Sequence, residues 1–223
     1  WYVIKGGSRE YVKKLTAPFA DKIRHNCAVQ KITRHHKFVE VALNDGSIET
    51  FDQVFIATHS DQALAMLSDA TPLENEILGA IPYQENEAVL HTDESILPKR
   101  KLSWAAWNYH ILPNCQDRVA LTYNMNILQG LKSDRQLCVT LNNSQAINEQ
   151  KILKKITYHH PVFTPAGVQA QQRHAELNGV NRTYYCGAYW RFGFHEDGVV
   201  SALNAIQHFE DRNNEELYLR RAS

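Results

Sequence analysis

The chain has 223 residues, of which 43% are hydrophobic and 22% are charged, as in ordinary globular proteins. Its 24 basic and 24 acidic residues cancel, and neither half carries a long basic block, which argues against a nucleic-acid-binding protein. No run of about 18 apolar residues occurs, so no transmembrane helix is predicted. Reduced, partly buried thiols in a cytoplasmic protein are expected because no Cys-x-x-Cys spacing occurs among Cys27, Cys115, Cys138 and Cys186.

The first 60 residues predict one helix followed by strands. Ser8 precedes a helix whose apolar stripe includes Val12 and Leu15, and it is the expected N-cap. Asp45 and Gly46 mark a hairpin turn between two alternating segments. Strands are predicted at 23–34, 39–43, 48–51 and 52–59.

The middle of the chain predicts two helices and then an antiparallel sheet. A helix is expected at 60–67, and Thr71, Pro72 and Glu74 form a capping box that begins a second helix, with Gly79 as its stop. Strands are predicted at 87–92, 104–110, 119–125, 137–141 and 152–158, followed by a helix at 166–177. Such a run favours a sheet with one covered face.

An aromatic cluster lies on the strand predicted at 104–110. Alternation places Trp107 and Tyr109 on one face and Asn108 and His110 on the other. Two interpretations stay open: the aromatic side chains form the wall of a substrate cavity, or they belong to a sheet core with a polar outer face.

The paired histidines do not predict a metal site. His35 and His36 are adjacent, as are His159 and His160, and adjacent strand residues point to opposite faces. No carboxylate or cysteine spacing completes a ligand set. We therefore expect no bound metal.

The most informative motif lies at residues 184–198. It predicts a short strand, a loop that contains Gly187 and Gly193, and a helix that opens with acidic residues. A helix N-terminus carries partial positive charge and N–H groups without helical partners, so it suits a phosphate or an electron-rich ring edge. This helix is expected to end near Phe209 and to be followed by a polar tail.

This motif resembles a known flavin signature. The residues Cys186-Gly187-Ala188-Tyr189-Trp190 and Gly193-Phe194-His195-Glu196-Asp197-Gly198 are similar to the C-terminal signature of the flavin-containing amine oxidoreductases. That superfamily includes monoamine oxidases, protoporphyrinogen oxidases and phytoene-type desaturases, and the match is best to a branch of predicted NAD/FAD-binding oxidoreductases. The resemblance implies an α+β fold, in which part of an FAD/NAD(P)-binding α/β fold joins an antiparallel-sheet substrate domain.

The resemblance also implies a division of the chain. Residues 1–60 would form the part of the chain that returns to the FAD-binding domain, and residues 61–180 would form the substrate domain. Residues 181–210 would form the flavin-binding strand, loop and helix, and residues 211–223 would form a tail. The superfamily holds the FAD pyrophosphate on an N-terminal Gly-x-Gly-x-x-Gly turn, which this sequence lacks. We therefore expect a C-terminal part of a larger enzyme that binds FAD poorly by itself, is inactive alone and self-associates through exposed apolar surface.

Site residues follow from the resemblance. His195 is the candidate for proton handling, because histidine titrates near neutral pH, although helix capping alone also accounts for it. Core packing is the alternative for Val29, Tyr189 and Trp190. The implied FAD contacts are Val29, Ala57, Thr58, Gly187, Ala188, Tyr189, Gly193, Phe194, His195, Glu196, Asp197 and Gly198. The implied substrate contacts are Trp107, Tyr109 and Trp190.

The resemblance implies an FAD-dependent oxidoreductase that oxidises a C–N or C–C bond by hydride transfer to flavin. Its substrate would be a small molecule or a lipid-like molecule. One departure keeps alternatives open, since Ala188 and Tyr189 replace the acidic residue that usually follows the loop glycine. The alternatives are a non-catalytic α+β binding module and a flavoprotein fold without redox activity.

Overall fold

The computed structural model describes residues 2–112 and 118–222, so Cys115 lies outside the described residues. The helices are α1 (Arg9–Thr16), α2 (Ser60–Met66), α3 (Pro72–Gly79), α4 (Met125–Gln129), α5 (Pro165–Gln171), α6 (His174–Leu177) and α7 (His195–Ala222). The strands are β1 (Val29–Arg34), β2 (Val39–Leu43), β3 (Ile48–Phe51), β4 (Val54–Ile56), β5 (Tyr83–His91), β6 (Trp107–His110), β7 (Ala120–Asn124), β8 (Cys138–Leu141), β9 (Ile152–Pro161) and β10 (Thr183–Tyr185). This content confirms the predicted α+β class.

The chain divides into two compact units. Unit 1 comprises Trp1–Ile23 and Glu85–His160, and unit 2 comprises Arg24–Gln84 and Pro161–Ser223. The functional names that the resemblance gives to segments of the chain stay predictions.

Unit 1 is built on a five-stranded sheet with the order β6-β7-β8-β5-β9. The pairs β6–β7, β7–β8 and β5–β8 are antiparallel, which confirms the predicted sheet type. Burial alternates along β7, where Ala120, Thr122 and Asn124 are buried. One face of this sheet is therefore covered, and much of the covered face is polar.

Unit 2 contains two small sheets around an apolar core. The strands β1, β2 and β3 form an antiparallel sheet with the predicted hairpin turn after Leu43. The strands β4 and β10 form a parallel pair in which Thr183 faces Val54 and Tyr185 faces Ile56. The buried side chains of this core come from both chain segments of unit 2 and include Ile32, Val39, Ile77, Leu78, Leu177, Tyr185, Tyr189 and Trp190.

Several helix ends differ from the prediction. The capping box at Thr71 is present, with the Glu74 N–H donating to Thr71 Oγ1 at 3.1 Å, but Gly79 is the last residue of α3 and not a stop beyond it. Ser8 stands at the N-cap of α1, yet its side chain accepts no capping hydrogen bond. The helix predicted at 166–177 is two helices, α5 and α6.

Helix α7 is longer than predicted. It continues beyond Phe209 to Ala222, through the residues expected to form a polar tail. Local hydrophobic periodicity fades in that stretch, and polar side chains with good helix propensity continue the helix without it. Within the described ranges, no helix has both the length and the apolar character needed to cross a membrane.

Candidate functional site

Unit 2 contains a groove that gathers three of the predicted cofactor contacts. Val29 begins β1 next to an irregularity in the pairing with β2, and Ala57 and Thr58 follow the last residue of β4. Together with α2 these elements enclose a cavity of about 560 Å³. The groove is lined by Ala28, Val29, Ile32, Val41, Val54, Phe55, Ile56, Ala57, Thr58, Gln62, Ala65 and Met66.

The β10–α7 loop (residues 186–194) starts beside this groove. The Cys186 N–H donates to Ile56 O at 3.0 Å, which extends the β4–β10 ladder by one step. The Gly187 N–H then donates to Ser201 Oγ of α7 at 2.8 Å. A Cβ atom on Gly187 would lie 2.4 Å from the Tyr189 ring, so the loop requires glycine at this position.

Side chains of α5 and α7 form hydrogen bonds to the backbone of the β10–α7 loop. The Gln171 amide of α5 donates to Tyr189 O at 2.7 Å and to Arg191 O at 2.8 Å. The Asp197 carboxylate of α7 accepts from the Phe192 N–H at 3.2 Å and from the Phe194 N–H at 3.0 Å. These four bonds satisfy backbone groups that the loop itself leaves without secondary-structure partners. Gln171 was not predicted as a site residue, because helical periodicity does not indicate a contact with a distant loop.

The start of α7 is partly occupied by the chain's own atoms. The Asp197 and Gly198 N–H groups both donate to Phe194 O, at 3.0 and 3.2 Å. Their hydrogens are therefore engaged within the helix. Asp197 is buried, whereas His195 and Glu196 are exposed. A ligand at this helix end would meet the helix dipole and the exposed first two residues.

Tyr189 and Trp190 lie in the core of unit 2, each 4% exposed. The Trp190 ring contacts the His174 ring at a centroid distance of 4.4 Å. Burial raises the pKa of the Tyr189 hydroxyl. The core-packing interpretation accounts for this burial, and the cofactor and substrate roles of these two residues stay predictions.

A buried ionic network joins β1, α3 and β10 of unit 2. The Arg34 guanidinium of β1 donates to Glu74 Oε2 of α3 at 2.8 Å, and the Tyr185 hydroxyl of β10 donates to Glu74 Oε1 at 2.6 Å. Burial alone would raise the pKa of Glu74, but the hydrogen bonds from Arg34, Thr71 and Tyr185 lower it to about 2. Glu74 therefore stays ionised and ties β1, α3 and β10 together. Local sequence predicts Glu74 as a capping residue but gives no signal for its partner Arg34.

A buried histidine also supports β10. His174 Nε2 donates to Tyr185 O at 2.6 Å, and burial lowers the pKa of the imidazole. The neutral ring thus joins α6 to the strand that leads into the loop.

In unit 1 the aromatic residues of β6 face outward and the polar residue between them faces inward. Trp107 and Tyr109 are 51% and 64% exposed, while Asn108 between them is buried. The interpretation of an aromatic core with a polar outer face is therefore wrong. Asn108 faces inward because its amide donates to Ala105 O and Thr122 O, which satisfies its N–H groups. The role of the two aromatic residues in substrate contact stays a prediction.

The covered face of the unit 1 sheet carries a hydrogen-bonded polar ladder. His110, Thr122, Thr140 and His91 are joined in that order by contacts of 2.8 Å between their side chains. The Asp93 N–H donates to His91 Nδ1, so the proton of the neutral His91 ring lies on Nε2. Burial lowers the pKa of His91, against the opposing effect of the Asp93 carboxylate.

Among the described residues, no group of three or more histidine, cysteine, aspartate or glutamate side chains forms a potential metal site. The described cysteines, Cys27, Cys138 and Cys186, are free thiols.

No protein-family model and no curated protein matches this chain. Among solved structures, the chain is similar to a fatty acid isomerase from P. acnes that produces CLA, with a TM-score of 0.66 and 15% identity over 91% of this chain and 52% of that one. It is similar to a putrescine oxidase bound to putrescine, with a TM-score of 0.62 and 10% identity over 92% and 53% of the two chains. A cyclohexylamine oxidase from Brevibacterium oxydans gives a TM-score of 0.58 and 13% identity over 93% and 53%.

The chain spans about half the length of the solved structures that it matches. At these identities the similarity concerns the fold alone. The fold of this chain is thus shared with half of a fatty acid isomerase and half of two amine oxidases, as the resemblance to the amine oxidoreductases implied.

Proposed function

We propose that this chain is part of an FAD-dependent oxidoreductase that oxidises a C–N or C–C bond of a small or lipid-like substrate. Unit 2 would contact FAD along the groove and at the β10–α7 loop. The similarity to a fatty acid isomerase and to amine oxidases supports both substrate classes without choosing between them. The free thiols of the three described cysteines support a cytoplasmic location.

The observation that carries the proposal is the β4–β10 pair. It places the residues after β4, Ala57 and Thr58, next to the start of the β10–α7 loop through the bond from Cys186 N to Ile56 O. Two segments separated by about 130 positions, both expected to contact FAD, are therefore neighbours in one compact unit.

The residues present fit parts of FAD. The groove has mostly apolar walls with Thr58 and Gln62 as polar groups, and its volume of about 560 Å³ suits a flat aromatic base with its ribose. At the other end, Gly193 has a φ of +88° and a Cβ there would meet no atom within 4 Å, which leaves room for a ring to approach the backbone.

The diphosphate of FAD has no counterpart in this sequence. The chain lacks a glycine-rich phosphate turn, and Glu196 and Asp197 place negative charge at the first turn of α7. The start of α7 therefore suits the edge of the flavin ring better than a phosphate. We expect FAD affinity in this chain alone to be low.

Flavin, when bound, accepts a hydride from the substrate. This chain would orient the ring, because Gln171 and Asp197 fix the conformation of the loop that would approach it. The exposed His195 is the side chain proposed to exchange a proton there. Trp107 and Tyr109 of unit 1 are proposed to contact the substrate.

The proposal is tested by FAD binding to matched variants. Ala57→Glu places a charged side chain in the groove and should weaken FAD binding at least about tenfold, measured by quenching of flavin fluorescence. Ala175→Glu makes the same change at an exposed position of α6, which does not line the groove, and should leave binding unchanged. Equal affinity in both variants would show that the groove does not hold the adenosine.

The outcome also separates the alternatives. A protein that takes up no FAD even at high concentration is a binding module without flavin. For a protein that binds FAD, anaerobic bleaching by an amine or by an unsaturated fatty acid supports the oxidoreductase and names its substrate class. Bound flavin that neither class bleaches agrees both with the expected inactivity of this chain alone and with a flavoprotein fold without redox activity.

A further inference from the structure

The N-terminal segment (residues 2–23) of unit 1 presents an apolar stripe whose side chains remain about half exposed. Helix α1 contains no buried residue. Val12, Leu15 and Phe19 are 45%, 61% and 46% exposed. Val12 and Leu15 are three positions apart on one side of α1, and Phe19 lies in the 3₁₀ turn that follows the helix. An amphipathic helix in a globular protein normally buries such a stripe.

The same segment is basic, although the whole chain is neutral. Five basic residues face two acidic ones, and all seven are exposed. The basic residues are Lys5, Arg9, Lys13, Lys14 and Lys22, and the acidic ones are Glu10 and Asp21. Exposed aliphatic and aromatic side chains beside lysines are the composition of helices that lie in the interface of a membrane.

A second element of unit 1 repeats this combination independently. In the 99–104 turn, Lys99, Arg100 and Lys101 are consecutive and exposed, and Leu102 is fully exposed at 103%. The turn is fixed at its end, because Trp104 Nε1 donates to Pro98 O at 2.7 Å and Trp104 N donates to Lys101 O at 3.1 Å. The exposure of Leu102 is therefore a property of an ordered turn.

We propose that unit 1 binds the surface of an anionic lipid bilayer through the N-terminal segment and the 99–104 turn. Leu15, Phe19 and Leu102 enter the boundary between head groups and acyl chains, and the lysine and arginine side chains contact lipid phosphates. A lipid surface suits these elements because they combine exposed apolar side chains with positive charge. This inference goes beyond the proposed oxidoreductase function and is tested without flavin or turnover.

The test is co-sedimentation of the 223-residue chain with vesicles of phosphatidylcholine alone or with one third phosphatidylglycerol. We expect binding to the anionic vesicles at low salt and its loss at high salt. Replacing Lys13 and Lys14 by glutamate should weaken binding by more than about tenfold, since each basic residue near the surface contributes about fivefold. Leu15→Asp and Leu102→Asp should each weaken it by about tenfold.

The control is Ile48→Asp in unit 2, because Ile48 is 64% exposed and lies outside both elements. Circular dichroism confirms that each variant is folded. The proposal is wrong if the chain does not bind anionic vesicles at low salt, or if Ile48→Asp reduces binding as much as Leu15→Asp. It is also wrong if the chain is a dimer that Leu15→Asp dissociates, because the stripe would then be covered by a second copy.

Discussion

Arg34 and Glu74 place two opposite charges inside unit 2, where each side chain is 1% exposed. A buried ion pair gains little over an apolar pair, but the loss of one partner leaves an uncompensated charge. Here the pair also carries the Tyr185 hydroxyl and the backbone of Thr71. The network therefore makes the packing of three elements depend on a single carboxylate.

We predict that Glu74→Gln lowers the free energy of unfolding by about 3 kcal/mol, because the buried Arg34 guanidinium loses the charge of Glu74 and keeps, among the described residues, only Asp69 as an ionic partner. Glu76→Gln is the matched control on the same helix: Glu76 is exposed and pairs with Arg173, which also has Glu176, so the change should cost less than about 1 kcal/mol. Urea unfolding of both variants provides the comparison. Similar losses in the two variants would contradict a special role for the buried pair.

The lowered pKa of Glu74 also sets a pH dependence. Glu74 titrates near 2 in the folded protein and at about 4.3 when unfolded, so its stabilising effect is complete above about pH 4.3 and disappears as the pH falls towards 2. The Glu74→Gln variant should lack this part of the acid sensitivity. Acid unfolding curves of variant and parent that run parallel would count against it.

His91 gives a second pH dependence, in unit 1. Because burial lowers its pKa, the folded state keeps His91 neutral while the unfolded state binds a proton below about pH 6.5, so stability falls as the pH drops through that value. Asp93, Glu94, Cys138 and Lys151 are the titratable groups near it. We expect His91→Gln to be less stable at neutral pH and to lose less stability between about pH 6.5 and 5 than the parent. An unchanged slope would assign the dependence to His110 or His174.

At the scale of elements, the β10–α7 loop owes its conformation to two side chains outside it. Asp197 occupies the third helical position and reaches back to the N–H of the residue before the helix, as a capping acid does. Gln171 approaches from α5 and fixes the carbonyl side. The loop is thus a joint product of α5 and α7.

We predict that Asp197→Ala destabilises the protein by about 1–2 kcal/mol, because the Phe192 and Phe194 N–H groups lose their acceptor. Amide hydrogen exchange should accelerate at these two residues and remain unchanged in β10. Glu196→Ala, one position earlier and exposed, serves as the control. Protection of the two amides in Asp197→Ala would show that another group holds the loop.

Local patterns predicted most strands, the capping box at Thr71 and the hairpin before β3, because each of these depends on residues close in sequence. The pairing of Arg34 with Glu74 joins residues 40 positions apart and leaves no local signature. The sequence also did not indicate that Trp107 and Tyr109 lie on the exposed face of the sheet. Alternation shows that two residues share a face, but only the rest of the sheet decides that the face with Asn108 and Thr122 is covered.

At the scale of the whole molecule, the zero net charge results from an uneven distribution of basic and acidic residues. The basic residues of 2–23 and 99–101 belong to unit 1, and acidic residues elsewhere balance them. In unit 2, β4 has β10 as its strand neighbour, and apolar side chains of the groove such as Val29 and Phe55 remain 37% and 41% exposed. An apolar groove beside a strand edge favours contact with another chain.

We therefore predict concentration-dependent self-association through the groove of unit 2. Val29→Lys introduces a charge at its mouth and should weaken the association about tenfold in sedimentation velocity experiments. Leu15→Asp, which alters the exposed stripe of unit 1, should leave the association unchanged while abolishing much of the vesicle binding. The two variants thus separate two apolar surfaces. If Leu15→Asp dissociates the complex and Val29→Lys does not, the groove is not the contact surface, and the N-terminal stripe meets a second copy instead of a lipid surface.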